Sequence, residues 1–391
     1  MKKLNSILFS LIAPQVMENA EGGAQSAELS VEQGTAQALD VGTVAAVFAL
    51  AKKHDLGHFV AAALRSRGVE IADEALAADV SKTELTAVWR VRNFENEQGR
   101  VRKCFEKAEI PFILLKGAVI RDYYPDSRMR TSSDIDVLVP ADKLAAAVDT
   151  LTSDYGYKIS TLERHDASVF SPGGVHLDMH TRFDGDGEDA RLTALAWQSA
   201  TDKGGYERFL TPEHFYILHI AHMAKHMRNG GCGIRSFVDL YLINSHLDYD
   251  RAAVREMLTE RGLDRFEAAA KTLSERWMRG EDVAELSALE EYVITGGVYG
   301  SLAQCVASKR RNEGRLRYIL RRIFMPYTEL KERHPRLDGH PWLTPVFWVW
   351  RWCSVLNPRR FKRSRTELKS VVKLGDDAVS GVASLLESLG L

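Results

Sequence analysis

The spacing of hydrophobic residues changes twice along the chain. Up to about residue 109, apolar positions recur at three- and four-residue steps, as in "KTELTAVWRVRNFENEQGRVRKCFEKAE", and this spacing predicts helices. From about 112 to 183 the apolar runs are short and strand-like, and beyond residue 190 the helical spacing returns almost without interruption. We therefore predict three regions: a helical N-terminal region (1–109), a core of strands and helices (110–200) and a helical C-terminal region (201–391).

The middle region alternates strand and helix within a compact stretch. A helical segment, "ADKLAAAVDTLTSDYG", lies between the second and third apolar runs. The "SPGG" at 171–174 is typical of a turn, so residues 168–180 predict a β-hairpin. This alternation predicts an α+β or α/β core. The predicted strands are 112–115, 134–139, 157–160, 168–170 and 175–180.

The sequence also gives expectations for the first 36 residues and for a helix that begins near residue 211. The first residues join a basic start to a short apolar run, but Pro14 ends that run early, so we expect an ordinary first helix rather than a secretion signal. Residues 19–36 are small, acidic and polar, and predict a loop. Thr211 and Pro212 are suited to the N-cap and first position of a helix.

Composition excludes several classes of protein. The chain has 391 residues, 45% of them hydrophobic and 27% charged, as in soluble globular proteins of more than one domain. No segment reaches the roughly 18 to 20 apolar residues that cross a bilayer. The four cysteines contain no C-x-x-C pair, which argues against a disulfide framework or a zinc knuckle. These features together predict a cytoplasmic protein. The cysteines are Cys104, Cys232, Cys305 and Cys353.

Two acids interrupt an otherwise apolar strand. Asp134 and Asp136 share one face of the predicted strand because successive side chains alternate, while Ile135 and Val137 face the other way. Adjacent carboxylates repel each other, and a divalent cation between them makes the arrangement favourable. In "VHLDMHTRF", His176, Asp178 and His180 also share a face. If the two strands are neighbours, Asp178 completes a metal site or serves as the base for an incoming hydroxyl.

Cationic residues precede the acids. A strand ending at Lys116 and Gly117 and entering a helix offers exposed amides and an ammonium group to a phosphate. Arg128 and Arg130 follow on the loop that leads to Asp134. We therefore predict a nucleotide-binding set on this segment. Its members are Lys116, Gly117, Arg128, Arg130 and Ser133.

At these residues the chain resembles a known family. "LLKGAVIRDYYPDSRMRTSSDIDVLV" is similar to the signature of the uncharacterised nucleotidyltransferase family, within the polymerase-beta-like nucleotidyltransferase superfamily. The resemblance continues through "GGVHLDMHTRF" and "LHIAHMAKHMRNGGCGIRSFVDL" to "PWLTPVFWVWRW". The Gly-Ser or Gly-Gly turn that is usual in the superfamily is Lys-Gly-Ala in this chain. The interval from that turn to the first acid is longer than in compact members of the superfamily.

The resemblance implies an α+β fold in which a nucleotidyltransferase-type mixed sheet is flanked by helical N- and C-terminal regions. It also implies Mg²⁺ (or Mn²⁺) on Asp134 and Asp136, with Asp178 as the third acid, and a nucleoside triphosphate donor.

Three histidines lie on one face of the predicted helix after Thr211. His219, His222 and His226 are spaced i, i+3 and i+7, and with Asp239 they suggest a zinc site, but that spacing is too long to converge easily on one ion. The alternatives are a polar face lining an acceptor cleft and a hydrogen-bonded structural helix. We retain His222 and His226 as candidates for the cleft, with His180 as a residue that supports the acids.

The segment 309–369 is strongly basic, with 17 Lys or Arg against 5 Asp or Glu. With its tryptophans, it suits three interpretations: packing beneath a solvated basic face, nucleic-acid binding, and a membrane surface. The first is preferred.

The leading hypothesis is a metal-dependent nucleotidyltransferase that releases pyrophosphate. Its acceptor is unidentified, with a small molecule, a peptide or a sugar preferred and a nucleic acid left open. The alternatives are a non-catalytic nucleotide-binding regulator and an RNA- or tRNA-modifying, toxin-like transferase, whose binding would weaken with salt.

Overall fold

A computed structural model describes seven stretches of the chain, and its contacts divide them into two compact units. The first unit comprises Met1–Met223 and Ile234–Leu286, and the second comprises Ala224–Gly233 and Ser287–Leu391. The predicted loop at 19–36 lies outside the described residues, and the three-region division stays a prediction. The described stretches are 2–17, 40–183, 188–281, 287–311, 314–334, 337–354 and 374–391.

The first unit begins with helices, as the apolar spacing predicts. Pro14 lies inside the first helix. Asp40 and Asp73 cap the second and fourth helices by accepting hydrogen bonds from main-chain amides. The Thr211 hydroxyl accepts from the amide of His214, as expected of an N-cap. The helices are α1 (Lys2–Met17), α2 (Val41–Lys53), α3 (Gly57–Ser66), α4 (Glu74–Lys107), α5 (Gly117–Ile120), α6 (Leu144–Tyr155), α7 (Glu188–Ser199), α8 (Pro212–Arg228), α9 (Ile234–His246), α10 (Arg251–Glu260) and α11 (Asp264–Arg279).

A mixed seven-stranded sheet forms the middle of this unit, which confirms the α+β fold class. Its order is β3-β4-β5-β2-β1-β7-β6. The β2–β5 and β1–β7 pairs are parallel, and the other neighbours are antiparallel. The strands are β1 (Phe112–Leu114), β2 (Asp134–Leu138), β3 (Lys158–Leu162), β4 (Asp166–Phe170), β5 (His176–His180), β6 (Thr201–Asp202) and β7 (Glu207–Phe209).

The five predicted strands are present, with ends shifted by up to two residues, and the predicted hairpin is the antiparallel β4–β5 pair. The expectation of almost uninterrupted helix beyond residue 190 is wrong at β6 and β7. Strands of two and three residues are too short to show a period of two. Long-range contacts form them instead: β7 pairs with β1, and the Glu106 carboxylate accepts hydrogen bonds from the amides of Tyr206 and Glu207.

The two central strands bury one face and leave the other polar. Ile135 and Val137 of β2, with Leu177 and Met179 of β5, are fully buried in a cluster that also contains residues of α4 and α6. Burial of this face fixes the register, because a shift of one residue would bring the acids into the apolar cluster. The polar side chains of both strands therefore lie together on the opposite face.

A buried ion pair anchors the loop before β2. The Arg130 guanidinium donates to both carboxylate oxygens of Asp239, at 2.8 and 2.9 Å, and the two residues are 7% and 2% exposed. The Tyr124 hydroxyl donates to the same carboxylate at 2.7 Å. Burial alone would raise the pKa of Asp239, but the charge of Arg130 outweighs it and lowers that pKa. Asp239 is therefore charged, and both of its carboxylate oxygens accept hydrogen bonds from Arg130.

The N-terminal helices hold the same loop from another side. Asp55, which has a φ of +57°, accepts hydrogen bonds from Arg90 at 2.8 Å and from the Thr131 hydroxyl at 2.9 Å, and it is ion-paired with Arg235. His58 Nε2 donates to the main-chain oxygen of Met129 at 2.7 Å. Polar contacts thus position the residues that lead into Asp134.

The described residues of the second unit are mainly helical, as predicted. Residues 312–313, 335–336 and 355–369 of the basic segment lie outside the described residues. The indole of Trp348 donates to the Met325 carbonyl at 2.8 Å, which fits the packing interpretation, whereas Trp342 and Trp350 are 67% and 54% exposed. Its helices beyond α8 are α12 (Ala288–Gly296), α13 (Leu302–Arg310), α14 (Arg315–Ile323), α15 (Tyr327–Arg333), α16 (Thr344–Ser354) and α17 (Asp376–Ser388).

Within the described stretches, no helix combines the length and the apolar character needed to span a membrane.

Replacing Asp239 by Asn should destabilise the first unit by about 3–5 kcal/mol, because the buried Arg130 loses its counter-charge. Urea unfolding measures the change. The matched control is Asp126→Asn, which breaks an exposed ion pair with Arg128 and should cost no more than about 1 kcal/mol. Equal effects of the two substitutions would contradict the role given to the buried pair.

Burial lowers the pKa of His58 below the ordinary histidine value of about 6.5. The folded protein therefore takes up this proton less readily than the unfolded chain, so the stabilisation is complete above about pH 6.5 and is lost as the pH falls below it. The free energy of unfolding should decrease less between pH 7 and 5 in His58→Gln, whose amide can still donate to Met129. The exposed His340→Gln should retain the wild-type slope, and identical slopes in all three proteins would refute the assignment.

Candidate active site

The register of β2 against β5 brings the predicted acids together. In this parallel pair Asp134 is opposite His176, and Asp136 is opposite Asp178. The condition under which Asp178 could join the other two acids, that their strands are neighbours, is therefore met. All four side chains point to the polar face of the sheet, since each is an even number of residues from its neighbour on the same strand.

One group of side chains has the spacing of a metal site. Asp134, His176 and Asp178 each offer one ligand atom, and these atoms lie within 4.8 Å of one another. All three residues are partly buried. Among the described residues, this is the group of His, Cys, Asp and Glu side chains that meets that spacing.

Asp136 has a different environment. Its Oδ1 accepts from Lys116 Nζ at 2.6 Å and lies 3.3 Å from His180 Nε2. Burial opposes ionisation of Asp136, but these two cations outweigh burial and hold its pKa well below the usual range. The sequence predicts Asp136 as a metal ligand together with Asp134, with Asp178 as the third acid. The structure gives Asp136 two ion-pair partners, Lys116 and His180, and brings His176 to the other two acids.

His180 is held between two carboxylates. Its Nδ1 lies 2.7 Å from Asp166 Oδ1, and its Nε2 faces Asp136. Burial lowers the pKa of His180, but the hydrogen bonds to Asp136 and Asp166 raise it to about 9. The imidazole is therefore charged at neutral pH. Its predicted supporting role agrees with this position, although its role in function stays a prediction.

The uncompensated negative charge is concentrated on Asp134 and Asp178. Burial raises the pKa of Asp134, and the charges of Asp136 and then Asp178 raise it further, while Lys116 opposes them. A carboxylate in this position gains from a nearby cation. The electrostatics thus favour cation binding beside Asp134 and Asp178.

His176 was absent from the predicted site residues. The alternation along β5 had placed it on the same face as Asp178, and this was the signal available in the sequence. Its Nε2 lies 3.2 Å from Asp178 Oδ1 and is hydrogen-bonded to the Ser168 hydroxyl. The Phe170 ring stacks on the imidazole, with 4.6 Å between centroids and 22° between planes.

The turn before α5 is tight. Lys116 has φ +49° and ψ −123°, a conformation that non-glycine residues rarely adopt, and the amide of Leu115 donates to the main-chain oxygen of Asp136 at 3.0 Å. A Cβ on Gly117 would collide with Ser132 Oγ. The turn is thereby fixed beside β2, with the Lys116 ammonium over Asp136.

The two arginines that are predicted to bind nucleotide lie in different environments. Arg130 is buried and engaged by Asp239, so its guanidinium is not available to a phosphate, in contrast to the prediction. Arg128 is exposed and paired with Asp126. Ser133, also predicted to bind nucleotide, lies beside the acids, with its hydroxyl 3.3 Å from Asp134 Oδ1.

The histidines of α8 do not converge with Asp239 on a zinc site, because Asp239 is engaged by Arg130. His219 is buried, and its Nε2 donates to the Ser236 carbonyl at 3.2 Å. His222 belongs to the first unit and His226 to the second, where its ring lies 5.4 Å from that of Tyr299. Their place in an acceptor cleft stays a prediction.

Comparison with known proteins identifies a family. The model of a family described as "Uncharacterised nucleotidyltransferase" matches residues 43–279. The matched range begins and ends nearer the N-terminus than the motifs quoted from the sequence. It therefore includes the N-terminal helices that hold the loop before β2. No curated protein matches the chain.

A solved structure adds a distant likeness. The chain is similar to the antibiotic-resistance factor ANT(2'')-Ia, with 15% sequence identity and a TM-score of 0.31, over 50% of this chain and 98% of that chain. At this level of similarity the match does not bear on the acceptor.

The contact between Gly117 and Ser132 gives a test of the turn. Gly117→Ala should destabilise the protein by about 1–3 kcal/mol, because the new methyl group displaces Ser132 Oγ. Adding Ser132→Ala should recover part of this loss. Gly99, inside α4, is the control, since a Cβ there meets no atom within 4 Å and Gly99→Ala should stabilise the helix by up to about 1 kcal/mol. Thermal unfolding of these three variants and of the Ser132→Ala single variant measures these effects, and strictly additive losses in the double variant would contradict a direct clash.

Proposed function

The chain belongs to the uncharacterised nucleotidyltransferase family, and from this premise we propose that it transfers a nucleoside monophosphate from a nucleoside triphosphate to a hydroxyl group of an acceptor. Pyrophosphate is the second product. The observation that carries the proposal is the cluster of Asp134, His176 and Asp178 on adjacent parallel strands, beside the Lys116 turn.

The residues fit a divalent cation. Asp134 and Asp178 offer carboxylate oxygens on one face. Burial and then the charge of Asp136 raise the pKa of Asp134, and a positive ion would counteract both effects. Asp136, predicted as a third ligand, lies directly opposite Asp178 and completes the acidic set. When bound, Mg²⁺ or Mn²⁺ neutralises phosphate charge and stabilises the departing pyrophosphate.

Lys116 and the turn at Gly117 would hold the triphosphate. The Lys116 ammonium is ion-paired with Asp136 on the polar face of the sheet. It therefore places a positive charge where the phosphates would lie beside the acids. We propose that it contacts a phosphate while His180 retains the ion pair with Asp136. Ser133 and Arg128 are further candidates for nucleotide contacts. Arg130 instead anchors the loop before β2.

Asp178 is the proposed proton acceptor. The acceptor oxygen forms a bond to the α-phosphorus as the bond between that phosphorus and the bridging oxygen of pyrophosphate breaks. The hydroxyl proton passes to the Asp178 carboxylate, which is partly exposed and lacks the two cationic partners of Asp136. Positioning and charge supply most of the acceleration in reactions of this class.

We propose a small molecule, a peptide or a sugar as the acceptor, with a nucleic acid bound through the basic segment 309–369 as the alternative. A non-catalytic nucleotide-binding regulator would retain the triphosphate without releasing pyrophosphate. The following experiment distinguishes such a regulator from a transferase.

Asp178→Asn should lower pyrophosphate release by about 10²-fold or more, because it removes the proposed base and a cation ligand. Release is measured with each of the four nucleoside triphosphates, Mg²⁺ or Mn²⁺, and pooled candidate acceptors. The control is Asp149→Asn, which removes an exposed acid of α6 and should leave release unchanged.

Two results would overturn the proposal. Wild-type protein that binds a labelled triphosphate reversibly and never releases pyrophosphate is a nucleotide-binding protein. Undiminished release in Asp178→Asn, with unchanged thermal stability, removes this residue from the reaction.

A further inference from the structure

We propose that His176 is a direct ligand of the bound cation, and that the site therefore prefers a first-row transition ion such as Mn²⁺ to Mg²⁺. This inference rests on the proposed function, because it concerns the ion that the same cluster would hold. It replaces an all-oxygen set by two carboxylates and one imidazole.

The geometry supports coordination by the imidazole. His176 is opposite Asp134 in the β2–β5 register, and the three ligand atoms lie within 4.8 Å of one another. Bonds of about 2.0–2.2 Å to one ion place its ligand atoms about 3–4 Å apart. Coordination of one ion therefore requires these three partly exposed side chains to rotate until their ligand atoms reach that spacing.

Strand β4 holds the imidazole in place. The Ser168 hydroxyl is hydrogen-bonded to His176 Nε2, and Phe170 stacks on the ring. Both residues lie on the neighbouring antiparallel strand, with Phe170 opposite His176 and Ser168 opposite Asp178. Ser168 contacts the same nitrogen that faces Asp178, so this hydrogen bond must be exchanged if Nε2 binds the ion. Coordination through Nδ1 would instead keep Ser168 as the supporting group that metal-binding histidines commonly have.

His180 shows the contrasting arrangement on the same strand. It points to the same face two residues later, but both of its nitrogens face carboxylates, Asp166 at 2.7 Å and Asp136 at 3.3 Å. His180 thus serves as a cation within the protein. His176 faces a single acid, Asp178, together with the Ser168 hydroxyl, and it is the histidine that joins the metal-spaced group.

Ligand chemistry then sets the preference among ions. Mg²⁺ takes oxygen ligands almost exclusively, retains several waters and demands octahedral geometry. Imidazole suits transition ions, and the affinity of a mixed nitrogen and oxygen site rises from Mn²⁺ towards Cu²⁺. A single imidazole in the set should therefore favour Mn²⁺ over Mg²⁺ by about tenfold or more, and later transition ions should bind more tightly still.

The test uses the full chain and metal ions, first alone and then with a nonhydrolysable triphosphate. Loss of the free Mn²⁺ signal in electron paramagnetic resonance gives the Mn²⁺ affinity, and competition gives the Mg²⁺ affinity. Electron spin-echo modulation of bound Mn²⁺ should show coupling to an imidazole nitrogen in the wild-type protein. This signature does not depend on turnover or on any variant.

His176→Asn should remove the nitrogen coupling and weaken Mn²⁺ binding by about 10–100-fold, while the Mg²⁺ affinity changes little. The matched control is His165→Asn, which alters a partly exposed histidine between β3 and β4, outside the cluster, and should retain both affinities. A retained Mg²⁺ affinity also shows that the variant is folded.

The outcomes separate this inference from the proposed function. Bound Mn²⁺ without nitrogen coupling, in a protein that releases pyrophosphate, overturns the role of His176 and leaves the transferase intact. Lower turnover in His176→Asn with unchanged metal affinities assigns His176 to proton transfer and also overturns it. Absence of metal binding, even with the triphosphate present, rejects the proposed function and this inference together.

Discussion

The buried ion pair between Arg130 and Asp239 anchors the loop that leads into strand β2. The last residues of this loop, 130–133, are polar, so their buried groups need partners. Asp239 of α9 supplies one, and Asp55, between α2 and α3, and His58 of α3 supply others. Helices far apart in the chain thus fix the loop, and through it the first acid of the candidate site.

The polar face of the sheet contains two kinds of charge. Asp136 is already neutralised by Lys116 and His180, and Asp166 completes this internal group. Asp134 and Asp178 lack such cations, and they stand beside His176. The first group is stabilised by charges within the protein, whereas the second is the place where we propose that a cation binds. Strand β4 supports both groups, since it carries Asp166, Ser168 and Phe170.

Family membership and local geometry carry different parts of the functional conclusion. The family match supplies the reaction class, and it covers the helices, the turn and both acid-bearing strands. The geometry adds distinctions that the motif does not make: Asp136 is ion-paired with Lys116, Asp178 is partly exposed beside His176, and Arg130 is buried against Asp239.

Local patterns in the sequence determined the helices, the five longer strands and the face on which each acid lies, because a period of 3.6 or 2 depends only on neighbouring residues. They also placed Asp134, Asp136 and Asp178 in one functional set. The tertiary structure decided which strands are neighbours, and so it brought His176 to Asp134, paired Lys116 with Asp136 and formed β6 and β7. It also buried Arg130 against a residue 109 positions away. Periodicity specifies which way a side chain points, but the charge that it meets depends on contacts between distant parts of the chain.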